Sequence, residues 1–175
     1  MQDSSYTIRE ILLEDIDQIT QYWLCANDDA LSKMGVDKSK ILSAPEWKKF
    51  LQEQIASPLN QKNSYCLIWL LNGKAVGHSN VNKIIFGESA YMHLHMWTST
   101  ARKKGAGLAF IKLCIPKFFE ILKLKTIFCE PKSDNEAPNK TLAKVGFTFV
   151  KKHSCIPGWI CFEQEVNLWE LKAPQ

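Results

Sequence analysis

Residues 101–112 of this 175-residue chain read ARKKGAGLAFIK. Three consecutive cations, Arg102, Lys103 and Lys104, lead into Gly105, Ala106 and Gly107, and an apolar run with helical spacing follows from Leu108. A loop entering a helix N-terminus presents N–H groups that lack helical partners, at the positive end of the helix dipole. Small residues at 105–107 let that backbone close around an anion. The cations add charge at the rim, and a diphosphate fits such a site. Glycine near a helix start costs about 1 kcal/mol against alanine, so a bland loop leaves the two glycines unexplained.

Other phosphate chemistries do not fit. An NTPase loop needs a lysine and a hydroxyl after its last glycine, but Leu108 and Ala109 follow Gly107. The dinucleotide fingerprint needs a third glycine inside a parallel β-α-β unit. Position 110 is Phe, and the preceding strand belongs to an antiparallel meander. Nucleic-acid binding would ask for more cations and surface aromatics than this tract carries.

A second chemical feature is HLHMW at 93–97. Strand alternation places Tyr91, His93, His95 and Trp97 on one face. Imidazoles of near-neutral pKa suit proton transfer, although buried histidines also serve structure. No third metal ligand accompanies the pair, so no metal is expected. His78, on the neighbouring strand, is a weaker candidate for the same task.

Several elements must position these groups. SYTIREIL reads as a strand, and LLEDIDQITQYWLCA as a helix with Glu14, Asp15 and Asp17 at its positive end. NDDALSKMGVDKSKILS reads as a looser segment. PEWKKFLQEQIAS places Trp47, Phe50, Leu51 and Ile55 on one helical face. Residues 64–71 form an apolar strand, Asn72-Gly73 a hairpin turn, and two further strands complete the meander. A helix from 105 onward carries Pro116 inside it, which should bend its axis. KTIFCEP is a strand, SDNEAPNKTLAKVGF a helix capped by Asn135 and ending at Gly146, and a hairpin around Pro157-Gly158 closes the chain. The order β-α-α-β-β-β-α-β-α-β-β predicts an α+β (mixed α/β) domain over residues 1–175, with about seven strands and about four helices.

Composition is that of an ordinary globular protein: 46% apolar, 23% charged, net charge +4. MQDSSYTIRE lacks a basic start and an apolar stretch, and no run of about 18 apolar residues occurs. A cytoplasmic protein without membrane attachment is therefore expected. Cysteines at 25, 66, 114, 129, 155 and 161 follow no metal-binding spacing and read mostly as buried thiols.

Arg102-x-x-Gly105-x-Gly107 after an apolar strand resembles the pyrophosphate motif of the GNAT N-acetyltransferases, [Q/R]-x-x-G-x-[G/A]. YTIREILLEDIDQI resembles the GNAT opening strand and helix. NEAPNKTLAKVGF, from Asn135 to Phe147, resembles the later signature in which an Asn stands eleven residues before Gly-Phe. Together these cover nearly the whole chain, and the nearest group is the ribosomal-protein alanine N-acetyltransferases. The resemblance implies a mostly antiparallel twisted sheet splayed between strands four and five, with acetyl-CoA in the gap. His95, Met96, Trp97 and Thr98 would line the pantetheine arm. The backbone from Lys103 to Leu108, with Arg102, would bind the diphosphate. Asn135 and Asn139 would reach towards the arm.

The implied reaction is amine attack on the thioester, with a base to take the amine's proton. Glu130 stands at the offset of a catalytic Glu in some ribosomal-protein acetyltransferases; His93 and His95 are the other base candidates. Many relatives carry a Tyr general acid where this chain has Leu142. That departure leaves open a CoA-binding sensor without turnover. A small RNA-binding protein is the third class. The acceptor pocket would be built from the first helices and last hairpin, here Trp23, Trp47, Trp159 and Phe162, and would suit a flat small-molecule amine or a peptide N-terminus. No nucleic-acid or membrane partner is expected, and the chain would act as a monomer or homodimer.

Overall fold

The computed structural model describes residues 5–98 and 105–174. Arg102, Lys103 and Lys104 lie outside the described residues. Seven strands form one sheet: β1 (Tyr6–Glu10), β2 (Ser64–Leu71), β3 (Lys74–Ile85), β4 (Ser89–Met96), β5 (Thr126–Cys129), β6 (Thr148–Cys155) and β7 (Gln164–Lys172). Their order across the sheet is β1-β2-β3-β4-β5-β7-β6. Every neighbouring pair is antiparallel except β4 and β5. Five helices accompany the sheet among the described residues: α1 (Ile16–Leu24), α2 (Asp28–Met34), α3 (Ala44–Ala56), α4 (Ala106–Leu122) and α5 (Glu136–Lys144). None is long and apolar enough to cross a membrane.

The sheet carries a core on each face. On one, α4 sends Phe110, Ile111, Cys114 and Phe118 against Leu67, Trp69, Val81 and Met92. The Trp69 and Phe110 rings stack at 5.1 Å, and the Trp69 Nε1–H donates to the Ser79 hydroxyl at 3.1 Å. On the other, α1 and α3 bring Ile16, Ile19, Trp23, Trp47 and Leu51 against Cys66 and Ile68. Period-2 alternation in β2 thus feeds both cores from one strand. Cys66, Cys114, Cys129 and Cys161 are buried, Cys155 is partly buried and Cys25 is exposed.

Two departures from the sequence reading matter for the site. The segment read as loose contains α2, capped by Asn27, whose side chain accepts from the Ala30 N–H at 2.8 Å, and ended by Gly35 at φ 71°. Asp15, expected to face the α1 dipole, turns inward instead. It accepts both Arg9 guanidinium arms at 2.5 and 2.9 Å and the Leu12 N–H at 2.8 Å. A buried carboxylate held by a forked cation and an amide outweighs the weaker dipole interaction.

Asn72 and Gly73 both adopt positive φ, 51° and 76°, as the two-residue turn between β2 and β3 requires. Gly77 is needed for another reason: a Cβ there would lie 2.5 Å from the His95 carbonyl oxygen and 2.8 Å from the Trp69 ring. Gly77→Ala must therefore push β4 away from β3. We expect it to lower unfolding free energy by about 2 kcal/mol in urea titrations followed by tryptophan fluorescence.

Candidate active site

The site begins where two strands part. β4 and β5 pair only from Ser89–Tyr91 against Thr126–Phe128. The Cys129 thiol donates to the Met92 carbonyl at 3.3 Å, and beyond that β4 continues to Met96 with β3 as its partner. The Trp97 N–H donates to the Val76 carbonyl at 2.9 Å. By antiparallel alternation, Leu94 and Met96 then direct their backbone groups away from β3, into the gap. Leu94 was not among the sequence candidates; its apolar side chain hides a role that belongs to its backbone.

The helix start lies behind the gap. Gly105 takes φ 67° at the N-cap, and no side chain among the described residues caps α4. The Gly105 carbonyl accepts from Leu108 and Ala109, so the Ala106 and Gly107 amides stand at the open end of the helix. A Cβ on Gly107 would meet only the Met96 methyl, at an ordinary 3.6 Å. Among the described residues, packing therefore does not demand glycine at 107.

A cavity of about 390 Å³ passes through the split. Met92, Leu94 and Leu142 border it from the α4 side, and His78, His93 and His95 from the α1 side. Glu130, just beyond β5, also lines it, with its side chain 6% exposed. Its carboxylate lies 3.2 Å from His153 Nε2 and 3.8 Å from Lys83 Nζ. Glu130, His153 and the Cys155 thiol have ligand-type atoms within 4.8 Å of one another. Sequence reasoning found Glu130 and missed Lys83, His153 and Cys155, which converge only through the β3 bulge and the β5-β7-β6 order.

Asn135 and Asn139, expected to reach towards the arm, make contacts within the protein, and Asn135 also lines the cavity. Asn135 occupies the N-cap position of α5 without capping it; its side-chain amide donates to the Lys33 carbonyl at 3.4 Å. The cap expectation is corrected on that geometry. Asn139 donates to the Lys132 and Asn135 carbonyls and accepts from Asn167 and Trp169, which engages both ends of its amide in pinning α5 to β7. Met96 faces the α4 core and Trp97 the α1 core, while Thr98 ends the described stretch.

The aromatic wall is confirmed in part. Trp23, Trp47 and Trp159 line the cavity, whereas Phe162 does not and Phe50 takes its place. The β6–β7 loop is tied to the end of α2: the Asp37 N–H donates to the Ile160 carbonyl at 2.8 Å, and the Gln164 side-chain amide to the Gly35 carbonyl at 3.1 Å. These bonds set Trp159 beside Trp47.

Registry puts His78 opposite His95 and Asn80 opposite His93, so all three imidazoles share one face. The His78 and His95 rings stack at 4.6 Å. The Trp97 Nε1–H donates to His78 Nδ1 at 2.8 Å. The Tyr22 hydroxyl lies 3.4 Å from His95 Nδ1, and the Trp23 ring meets His95 edge-on. Burial pushes His78 down to about 3, with His93 adding to it, and His93 down to about 4, with Lys83 adding to it. Burial, then His78 and His93, holds His95 well below 6.5. The expectation of near-neutral imidazoles is thus corrected: all three are uncharged at neutral pH.

The sign of the linkage follows. Below about pH 6.5 the unfolded chain protonates these groups while the folded chain does not, so protonation favours unfolding. Stability should be greatest above pH 6.5 and fall as pH drops towards 4. Urea midpoints across that window should show the decline, and His93→Gln should flatten it.

Comparison with known proteins agrees with this geometry. Residues 6–148 match the model of the acetyltransferase (GNAT) domain. No curated protein sequence matches the chain. Among solved structures, spermidine N-acetyltransferase from Vibrio cholerae, in complex with CoA and spermine, superposes with a TM-score of 0.78 at 15% identity, covering 95% of each chain. Ribosomal-protein-S5-alanine acetyltransferase from Vibrio fischeri gives 0.75 at 19% identity, covering 95% of this chain and 92% of that one. Ribosomal-protein-alanine N-acetyltransferase from Brucella melitensis gives 0.72 at 14%, covering 95% and 99%. At these identities the likeness is one of fold. The family match extends over most of the sheet and both walls of the gap, and the chain belongs to the GNAT acetyltransferase family.

Proposed function

We propose that the chain transfers the acetyl group of acetyl-CoA to a primary amine that enters the cavity from the α1–α3 side. The observation that carries this reading is the gap itself: the β4 backbone at Leu94 turns away from β3, next to a helix start at Gly105–Gly107 that no side chain of the described residues caps. Backbone groups of β4 would pair with the pantetheine arm, and the Ala106 and Gly107 amides would hold the diphosphate. Arg102, Lys103 and Lys104 would add charge at its rim.

Acetyl-CoA supplies an activated acyl carbon: the amine nitrogen bonds to it, the carbon–sulfur bond breaks, and CoA leaves as the thiol. The protein's own residues manage the proton and the charge. Glu130 would take the proton from the attacking amine, directly or through water. Lys83 and His153 hold that carboxylate in place beside the cavity. The neutral His93 and His95 would border the reacting groups without adding a competing positive charge. A β4 amide from Leu94 or Met96 would stabilise the oxygen that gains charge. Leu142, buried at 1% exposure, stands where relatives carry a Tyr acid, so the thiolate's proton would come from water or from Glu130.

The reading is tested by two variants. Glu130→Gln should lower kcat about 100-fold and leave acetyl-CoA affinity unchanged. Gly107→Asp should weaken acetyl-CoA binding at least about tenfold in titration calorimetry without loss of folding, because a carboxylate suits a helix N-terminus but repels a phosphate there. Acetyl-CoA binding without turnover of any amine would favour the sensor reading that Leu142 keeps open.

A further inference from the structure

The walls of the cavity restrict which amine can enter. Trp23 and Trp47 stack in parallel at 6.0 Å. Trp159 leans on Trp47 at 5.6 Å and on Phe50 at 6.1 Å. Trp23 and Trp47 are buried, but Trp159 is 47% exposed, which leaves an indole surface at the cavity mouth. Aromatic walls of this kind favour a flat apolar body through edge and face contacts.

Charge points the same way. The cavity lining includes one carboxylate, Glu130, and two ammonium groups, Lys83 and Lys132. Glu130 already faces Lys83 and His153. Among the described residues, an acceptor with several ammonium groups would find no second carboxylate on these walls, and the two lysines there already pair with Glu130 and Asp134. Burying an unpaired ammonium there is costly.

Three residues of the lining carry buried polar atoms without a partner among the described residues. Trp47 Nε1, Asn82 Oδ1 and His93 Nε2 are buried without a hydrogen-bond partner among the described residues. All three residues border the cavity. Asn82 and His93 lie on its β3–β4 floor, where an amide oxygen can accept from an amine N–H. The donor, Trp47 Nε1–H, lies in the aromatic wall, where the acceptor's body would rest.

We propose that the acceptor is a small monoamine whose single amino group is carried on an aromatic body, seated against the cluster of Trp47, Phe50 and Trp159 with the nitrogen towards Glu130. This rests on the acetyltransfer reading above, and narrows its substrate to one class. Polyamines and peptide N-termini are the competing acceptors.

The test compares phenethylamine, spermidine and alanylalanine amide as acceptors with acetyl-CoA, following release of free thiol. Phenethylamine should show the highest kcat/KM, at least about tenfold above spermidine. Trp159→Ala should raise its KM about tenfold with little change in kcat, and Trp159→Phe should restore most of the loss. A preference for spermidine or the peptide overturns the inference and leaves the acetyltransfer reading standing. So does a Trp159→Ala enzyme with unchanged KM for phenethylamine. If no amine turns over, calorimetry with phenethylamine and CoA-loaded protein decides: saturable binding weakened by Trp159→Ala supports the aromatic acceptor site and overturns acetyl transfer, and no binding overturns the inference.

Discussion

The site depends on the early parting of β4 and β5. A parallel pair that zipped to its end would close the cavity. Pairing stops after Tyr91, sealed by the Cys129 thiol on the Met92 carbonyl. Past that point β4 keeps its place through β3 alone, which makes the β3–β4 ladder the support of the whole groove. Gly77, Trp69 and the packed face of α4 matter to the site for this reason, although none of them lines the cavity.

Because β4 passes through the split, its alternating side chains serve two chemically different surfaces. Met92 faces a dry core under α4, while His93 and His95 face α1 and the aromatic wall. Imidazoles inserted among Tyr22, Trp23 and Trp97 lose hydration and stay neutral. Glu130 meets a different environment a few residues away, with two basic side chains at its oxygens. Burial removes charge from the imidazoles, while Glu130 has Lys83 and His153 beside its oxygens.

Much of the fold was legible in local signals. Asn72-Gly73, the apolar 64–71 run and the shift from period 2 to period 3.6 at Gly105 located β2, β3, β4 and α4. The Asn27 cap and Gly35 end of α2 were present in the sequence but sit around a polar seven-residue helix that periodicity alone does not mark. Glu130 was found by its offset from Asn135. Its partners His153 and Lys83 could not be, since they reach it across a strand inserted out of chain order and from a bulge at Asn82–Ile85. The roles of Asn135 and Asn139 depended on neighbours from α2 and β7, which no local pattern names.

The two halves of the groove are made of different material. The half beside α4 is defined largely by main chain, and main-chain groups survive most substitutions. The half beside α3 is defined by the side chains of Trp47, Phe50 and Trp159, the last carried on a loop tied to Gly35 and Asp37 through main-chain carbonyls and amides. Drift in sequence can therefore exchange one acceptor for another while the nucleotide end goes on working. A scaffold divided in this way separates what must be retained from what is free to diverge, and one fold can supply many enzymes whose sequences have little in common.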